Sequence, residues 1–277
     1  MVLVTGATGN AGGAVVGALV AAGTPARALV RPGTDASKLP RGVEAVEGDL
    51  NRPETLRPHL NGVDAAFLLS GYEAMEQTLA LMRRAGVRRV VLLSSSAAPS
   101  GDTSNAVARY HIDSERAVRE AGLVWTFLQP SSFMTNTLQW APQLQAGDVV
   151  RAPFPDVRVA TIDPADLGAV AAAALTSDDH AGRAYRLSGP EPLTTGDRVA
   201  ILARVLGRDL RFEAQSDEEA RAEMSEAMPP QYVDAFMSFF ADGTLDESEV
   251  LPAVEEITGR PPGTFEAWAR AHAERFA

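Results

Sequence analysis

The stretch from Val2 to Gly13, VLVTGATGNAGG, constrains this chain more than any other. Val2, Leu3 and Val4 are a short apolar run that reads as a buried strand. Gly6, Gly9 and Gly12 follow at a spacing of three, and from Ala14 the pattern turns apolar and helical through Val15, Val16, Leu19 and Val20 to Gly23. Glycine lets backbone approach a ligand closely. A helix that begins there offers unpaired N–H groups and the positive end of its dipole. The turn Gly6, Thr8, Gly9, Asn10, Ala11 and Gly12 is therefore expected to cradle the diphosphate of a dinucleotide. The spacing is G-x-x-G-x-x-G rather than G-x-G-x-x-G, and a purely structural glycine turn is the alternative.

Ala26 to Val30 reads as the second strand and ends at Arg31. The end of strand two sits at the ribose, about 20 residues beyond the turn; an acid there favours NAD and an arginine a 2′-phosphate. Arg31 is basic and the nearest acid, Asp35, comes a turn later, so the pattern points to NADPH. A solvated arginine before Pro32 and Gly33 is the other reading.

With these residues the chain resembles the NmrA-like group of atypical short-chain dehydrogenases/reductases. The resemblance rests on TGATGNAGG, on VRP at Arg31, on GDL at Gly48 to Leu50 and on VVLLSSS at Val90 to Ser96. It extends to WTFLQPSSFMTN at Trp125 to Asn136 and TGRPPGTFEAWARAHAERF near the C-terminus. It implies a Rossmann-type, doubly wound parallel α/β sheet with a smaller C-terminal substrate lobe. The expected boundaries are 1–130 for the dinucleotide-binding part and 131–277 for the lobe, with the sheet completed by segments around 157–187. It also implies that Asp49 and Leu50 flank the adenine; Asp49 alone reads equally as a turn former.

Strand–helix alternation continues, with strands expected at Val43–Glu47, Asp64–Leu69, Arg88–Leu93 and Leu123–Leu128 and helices from Arg52, over 73–85 and over 105–121. Ligands of such sheets lie at the carboxyl ends of the strands, which places Ser70, Gly71, Ser94 and Ser95 near the nicotinamide half. Small hydroxylated residues there also make good turns. Pro130 and Phe133 are expected to face the nicotinamide and the substrate, Gln129 standing where relatives have arginine. Beyond them the residues predict a helix toward Trp140, a strand over Val157–Ile162, a helix from Asp163, a strand at Ala184–Leu187, a helix from Thr194 to Leu206, a strand at Leu210–Ala214 and a helix from Thr264 to Phe276. Between the last two, Tyr232, Phe236, Met237, Phe239 and Phe240 either pack the lobe or line an apolar pocket.

The helix over 105–121 is where ordinary short-chain dehydrogenases carry Tyr-x-x-x-Lys. Here Tyr110 is followed four residues on by Ser114. Without a cation the phenol is a weak acid. His111 stands where isoflavone-reductase relatives place a catalytic lysine. Packing, contact with cofactor and proton shuttling near neutral pH are all open to it, and Glu115 at i,i+4 could orient its ring. Tyr110 and His111 are the candidate catalytic residues.

The chain has no cysteine, four scattered histidines without metal spacing, a formal charge of −11 and no basic run beyond paired arginines. These features exclude disulfides and thiolate sites and argue against a metal site and nucleic acid. No apolar run spans a membrane, and Met1 leads straight into a strand, so a cytoplasmic protein acting on a small molecule is expected. The resemblance implies NADPH-dependent reduction of a conjugated, mostly apolar quinone, enone or imine. The alternatives are a non-catalytic NADP(H) sensor and an isomerase or cyclase with a structural nucleotide.

Overall fold

The computed structural model describes residues 1–276. Three buried residues, Val2–Val4, form β1, and the glycine turn leads into α1, Asn10–Ala21. The chain continues through β2 (Ala26–Val30), β3 (Glu44–Glu47), β4 (Ala65–Leu69), α2 (Met75–Arg84), β5 (Arg89–Leu93), α3 (Ala106–Glu120) and β6 (Val124–Pro130). Then come α4 (Ala141–Ala146), β7 (Val149–Ala152), α5 (Pro164–Thr176), β8 (Arg183–Leu187), α6 (Thr195–Leu206) and β9 (Arg211–Ala214). The last elements are α7 (Asp217–Ala227), α8 (Pro230–Phe240), α9 (Ala253–Thr258) and α10 (Phe265–Ala271).

Seven strands form one sheet in the order β3-β2-β1-β4-β5-β6-β8, every pair parallel. Parallel strands need covering on both faces. On one face Val15, Val16 and Leu19 of α1 meet Leu167, Val170 and Leu175 of α5. On the other, Leu79 and Met82 of α2 and Val118 of α3 pack on Leu3, Val90 and Leu92. This is the Rossmann-type doubly wound arrangement. The two helices of the first face come unusually close, since a Cβ on Gly168 would lie 2.6 Å from the Ala14 backbone.

The remaining elements build a lobe beside the sheet. Strands β7 and β9 pair in parallel, and Val150, Trp140, Leu202, Phe265, Trp268 and Phe276 share its core. Asp163 caps α5 through the Ala165 N–H, and Thr194 with Asp197 forms a capping box on α6.

Several expectations need correction. α1 begins four residues before its apolar stripe, because Asn10 to Gly13 form a first turn of polar and small residues. The helix expected from Arg52 is two 3₁₀ turns, Pro53–Thr55 and Arg57–His59; Pro58 removes a donor and disfavours helical backbone at Arg57. The helix toward Trp140 is 3₁₀ from Met134 before α4 takes over. Val157–Ile162 does not join the sheet; it makes single bridges to Phe133, Leu193 and Glu247. The C-terminal helix breaks at His272 into α10 and a 3₁₀ turn, Ala273–Phe276.

Candidate active site

The order of strands reverses at β1, whose neighbours β2 and β4 leave a crevice above their carboxyl ends. The glycine turn lies in that crevice. Gly6 has φ +62, a conformation that favours glycine. A Cβ on Gly12 would lie 2.3 Å from the Gly6 carbonyl oxygen, so the helix starts hard against the turn. Gly9 caps α1 without any side-chain hydrogen bond, and no acid occupies the first turn. The N–H groups of Asn10, Ala11 and Gly12 have no intrahelical acceptor. An oligophosphate fits this cradle in charge.

Arg31 is exposed at the end of β2, and Asp49 lies at the end of β3. One Asp49 oxygen accepts from the Asn51 N–H, so the turn-forming role holds. Leu50 is 6% exposed and packs in the core beneath. Tyr72 gathers these groups, for its phenol feels Thr5, Arg31 and Asp49 while burial pushes it above the usual tyrosine range. Sequence reasoning missed Tyr72; its signal was an aromatic residue straight after Ser70-Gly71.

Further along the crevice is a cavity of about 360 Å³ lined by Ser70, Ser94, Ser95, Tyr110, His111, Pro130, Ser132, Phe133 and Glu247. The structure thus brings the expected nicotinamide-half residues together. The Ser70 hydroxyl is spent on the Leu93 carbonyl and that of Ser94 on Glu115. The Gly71 N–H donates to Ser114 and its positive φ lets the Tyr110 ring pack against it.

His111 and Glu115 do share a face of α3, but Glu115 does not orient the imidazole. Its carboxylate accepts from Ser94, Gln129 and Arg119 instead. Gln129, which cannot form the ion pair an arginine would, supplies a neutral donor, and Arg119 carries the charge. The His111 ring lies 4.1 Å from that of Tyr110, and its buried Nδ1 has no partner. His111 lines the cavity, and an orphaned buried polar atom is one that a ligand amide or hydroxyl would satisfy.

Burial pushes the His111 imidazole down to about 4 from 6.5. It is neutral at physiological pH, so imidazolium is not the acid near neutrality that the sequence alone allows. Burial also raises the Tyr110 phenol, with Tyr232 adding to the effect and no cation opposing it. The unfolded chain protonates His111 first, so stability should fall as pH drops from 6.5 to about 4. A loss of up to about 3 kcal/mol is expected. Unfolding free energies measured from pH 7 to 4 should show it, and His111→Leu should remove that component.

A second cavity, of about 580 Å³, opens in the lobe. Trp140, Phe154, Met224, Met228, Phe236 and Phe240 give it an apolar wall, while Arg198 and Gln139 give polar edges. The aromatic run of α8 therefore serves both expected uses: Phe239 packs against Ala108 of α3, and Phe236 and Phe240 face the cavity. Phe154, at φ +56, packs against Phe240 with centroids 5.5 Å apart and the rings tilted by 39°. Strained backbone at a cavity wall is a mark of a ligand site. Ser132 borders both cavities. Its hydroxyl and N–H bond the buried Glu247, which also accepts from Ser96. Glu247 carries no local sequence signal.

Among the described residues no cluster of histidine and carboxylates could hold a metal, and no helix is long and apolar enough to cross a membrane.

Comparison with known proteins agrees with this geometry. The chain is 43% identical to the (4-alkanoyl-5-oxo-2,5-dihydrofuran-3-yl)methyl phosphate reductase of Streptomyces griseus, covering 100% of the chain and 99% of that protein. It is 35% identical to the NAD(P)H azoreductase of Xenophilus azovorans, with 100% and 99% covered. Its fold matches an NADPH-dependent quinone oxidoreductase of Escherichia coli complexed with NADPH at a TM-score of 0.81, with 24% identity over 99% and 100% of the two chains. Residues 1–258 match the NmrA-like family. With that span and a strand order and glycine turn that conform to it, the chain belongs to the NmrA-like family.

Proposed function

We propose that this protein uses NADPH to reduce a conjugated, mostly apolar small molecule. The coarser class, an NAD(P)H-dependent oxidoreductase, accords with full-length relatives named as reductases of an unsaturated lactone and of azo compounds. The observation that carries the finer reading is the pair of cavities joined at Ser132: one beside the dinucleotide crevice, the other walled by aromatic rings.

When bound, the nicotinamide supplies a hydride. The first turn of α1 and Arg31 hold the phosphates, and His111, kept neutral by burial, lines the cavity at the nicotinamide end. The apolar wall holds the acceptor flat and excludes water. Charge that develops on a conjugated acceptor is delocalised, so a proton from solvent suffices. That suits a site whose tyrosine is a poor acid and whose helix lacks the lysine.

Loss of NADPH absorbance with menadione, an azo dye and an α,β-unsaturated lactone tests this directly. Turnover with at least one is expected; tight NADPH binding with none would overturn it. In the same assay Arg31→Ala should weaken NADPH by about 1.5–3 kcal/mol, the worth of lost charge-assisted bonds, and leave NADH almost unchanged. Equal losses for both would remove Arg31 from the 2′-phosphate.

A further inference from the structure

The larger cavity is lined by a cation, Arg198, that no carboxylate among the described residues contacts as an ion pair. The chain is acidic, at −11, and many of its arginines pair with carboxylates. Arg198, on the first turn of α6, does not. Its guanidinium reaches the Thr195 hydroxyl at 3.2 Å and the Thr194 carbonyl at 3.4 Å, and lies 5.6 Å above the Trp140 ring. Among the described residues no carboxylate lies within 4.0 Å of it. Every nearby acid is engaged elsewhere. Asp197 serves the capping box and lies 3.6 Å from Arg158. Glu247 serves Ser96 and Ser132, and Glu223 accepts from Gln215. At the rim, Arg151 already pairs with Glu219 at 3.1 Å.

Burial lowers the Arg198 guanidinium to about 10, which leaves it charged at neutral pH. Asp197 and Glu247 attract it only from beyond ion-pair distance; a charge withdrawn from water without a contacting partner is costly, and a guanidinium fork matches two oxygens of one anion. Two of its contacts are neutral oxygens, so donors remain for a ligand.

We propose that the cavity selects acceptors bearing an oxyanion, a phosphate or carboxylate group, and that Arg198 binds that group while Phe236, Phe240 and Met224 hold the apolar body. The proposal rests on the reductase reading only for what becomes of the ligand; the binding stands apart from it.

Calorimetry with 1-naphthyl phosphate and with 1-naphthol, in saturating NADP⁺ so that the crevice is filled, tests it without turnover. The phosphate is expected to bind the intact protein at least about tenfold more tightly, and the preference to shrink as salt rises. Arg198→Gln should abolish the preference and leave 1-naphthol within about twofold, while Arg198→Lys should keep part of it. Benzoate against benzyl alcohol separates a carboxylate from a phosphate preference. Equal affinity for 1-naphthyl phosphate and 1-naphthol in the intact protein, or a preference that survives in folded Arg198→Gln, would overturn the assignment. Displacement of the phosphate by NADP⁺ would place it in the glycine cradle and overturn it too. Should Arg198→Gln not fold, the salt dependence in the intact protein and the Arg198→Lys response decide. An absence of reductase activity alongside selective binding would leave this site in place and refute the reductase reading alone.

Discussion

Gly12→Ala is expected to abolish NADPH binding and to lower stability by about 3 kcal/mol, at the upper end of overpacking costs. The added Cβ would sit 2.3 Å from the Gly6 oxygen and 2.5 Å from the Thr5 oxygen. Both are backbone atoms of the turn and cannot swing aside as a side chain would. Either α1 moves off β1, which opens a core where Val15, Val16 and Leu19 are fully buried, or the turn rebuilds. Each outcome disperses the N–H groups of the proposed phosphate cradle. Gly17→Ala is the control, because nothing lies within 4 Å of its Cβ. Replacing a helical glycine there should add about 0.5–1 kcal/mol. Thermal melts and NADPH titration of the two variants decide the matter; unchanged NADPH affinity in Gly12→Ala would remove the cradle from this turn.

Glu247→Ala should have the second largest effect. This glutamate is 7% exposed and accepts three hydrogen bonds: from the Ser96 hydroxyl at 2.5 Å, the Ser132 hydroxyl at 2.6 Å and the Ser132 N–H at 3.1 Å. Its own carbonyl accepts from the Ala160 N–H at 2.7 Å. One side chain thus ties the segment after α8 to the ends of β5 and β6. Truncation leaves three half-buried donors without their acceptor, which costs about 2 kcal/mol. It also frees Ser132, the border between the two cavities, so KM for the acceptor should rise about tenfold or more, a loss of over 1.4 kcal/mol. Glu247→Gln retains the shape but directs an amide N–H₂ at a donor, so it should recover only part of the stability. Wild-type melting and KM in Glu247→Ala would refute this role.

Much of the sheet was legible because buried parallel strands are short apolar runs and their turns are rich in glycine and serine. All seven of its strands lie within two residues of their expected places, β3 starting at Glu44 rather than Val43. What misled was pattern without context. The alternation in Val157–Ile162 reports burial between two different neighbours, Leu193 and Glu247, rather than membership of the sheet. β7 was not anticipated because its partner β9 begins some sixty residues later, at Arg211. Helical spacing correctly put His111 and Glu115 on one face, yet tertiary neighbours claimed the carboxylate. Tyr72, Arg198 and Glu247 belong to no motif. They matter because the fold surrounds each with particular neighbours, and nothing in their local sequence says which.

The close approach of α1 and α5 has a consequence for how the protein is made. The glycine turn and the strands β1–β6 all lie before residue 131, but the helix that packs on α1 comes from Pro164–Thr176, with Gly168 against Ala14. A nascent chain that has emerged only as far as β6 exposes the apolar flank of its first helix to water and to other chains. The packing around the glycine turn therefore matures late in synthesis, after the segment from β6 to α5 has already left the ribosome, and circular permutation that delays α5 further would prolong the interval in which the chain is prone to aggregate.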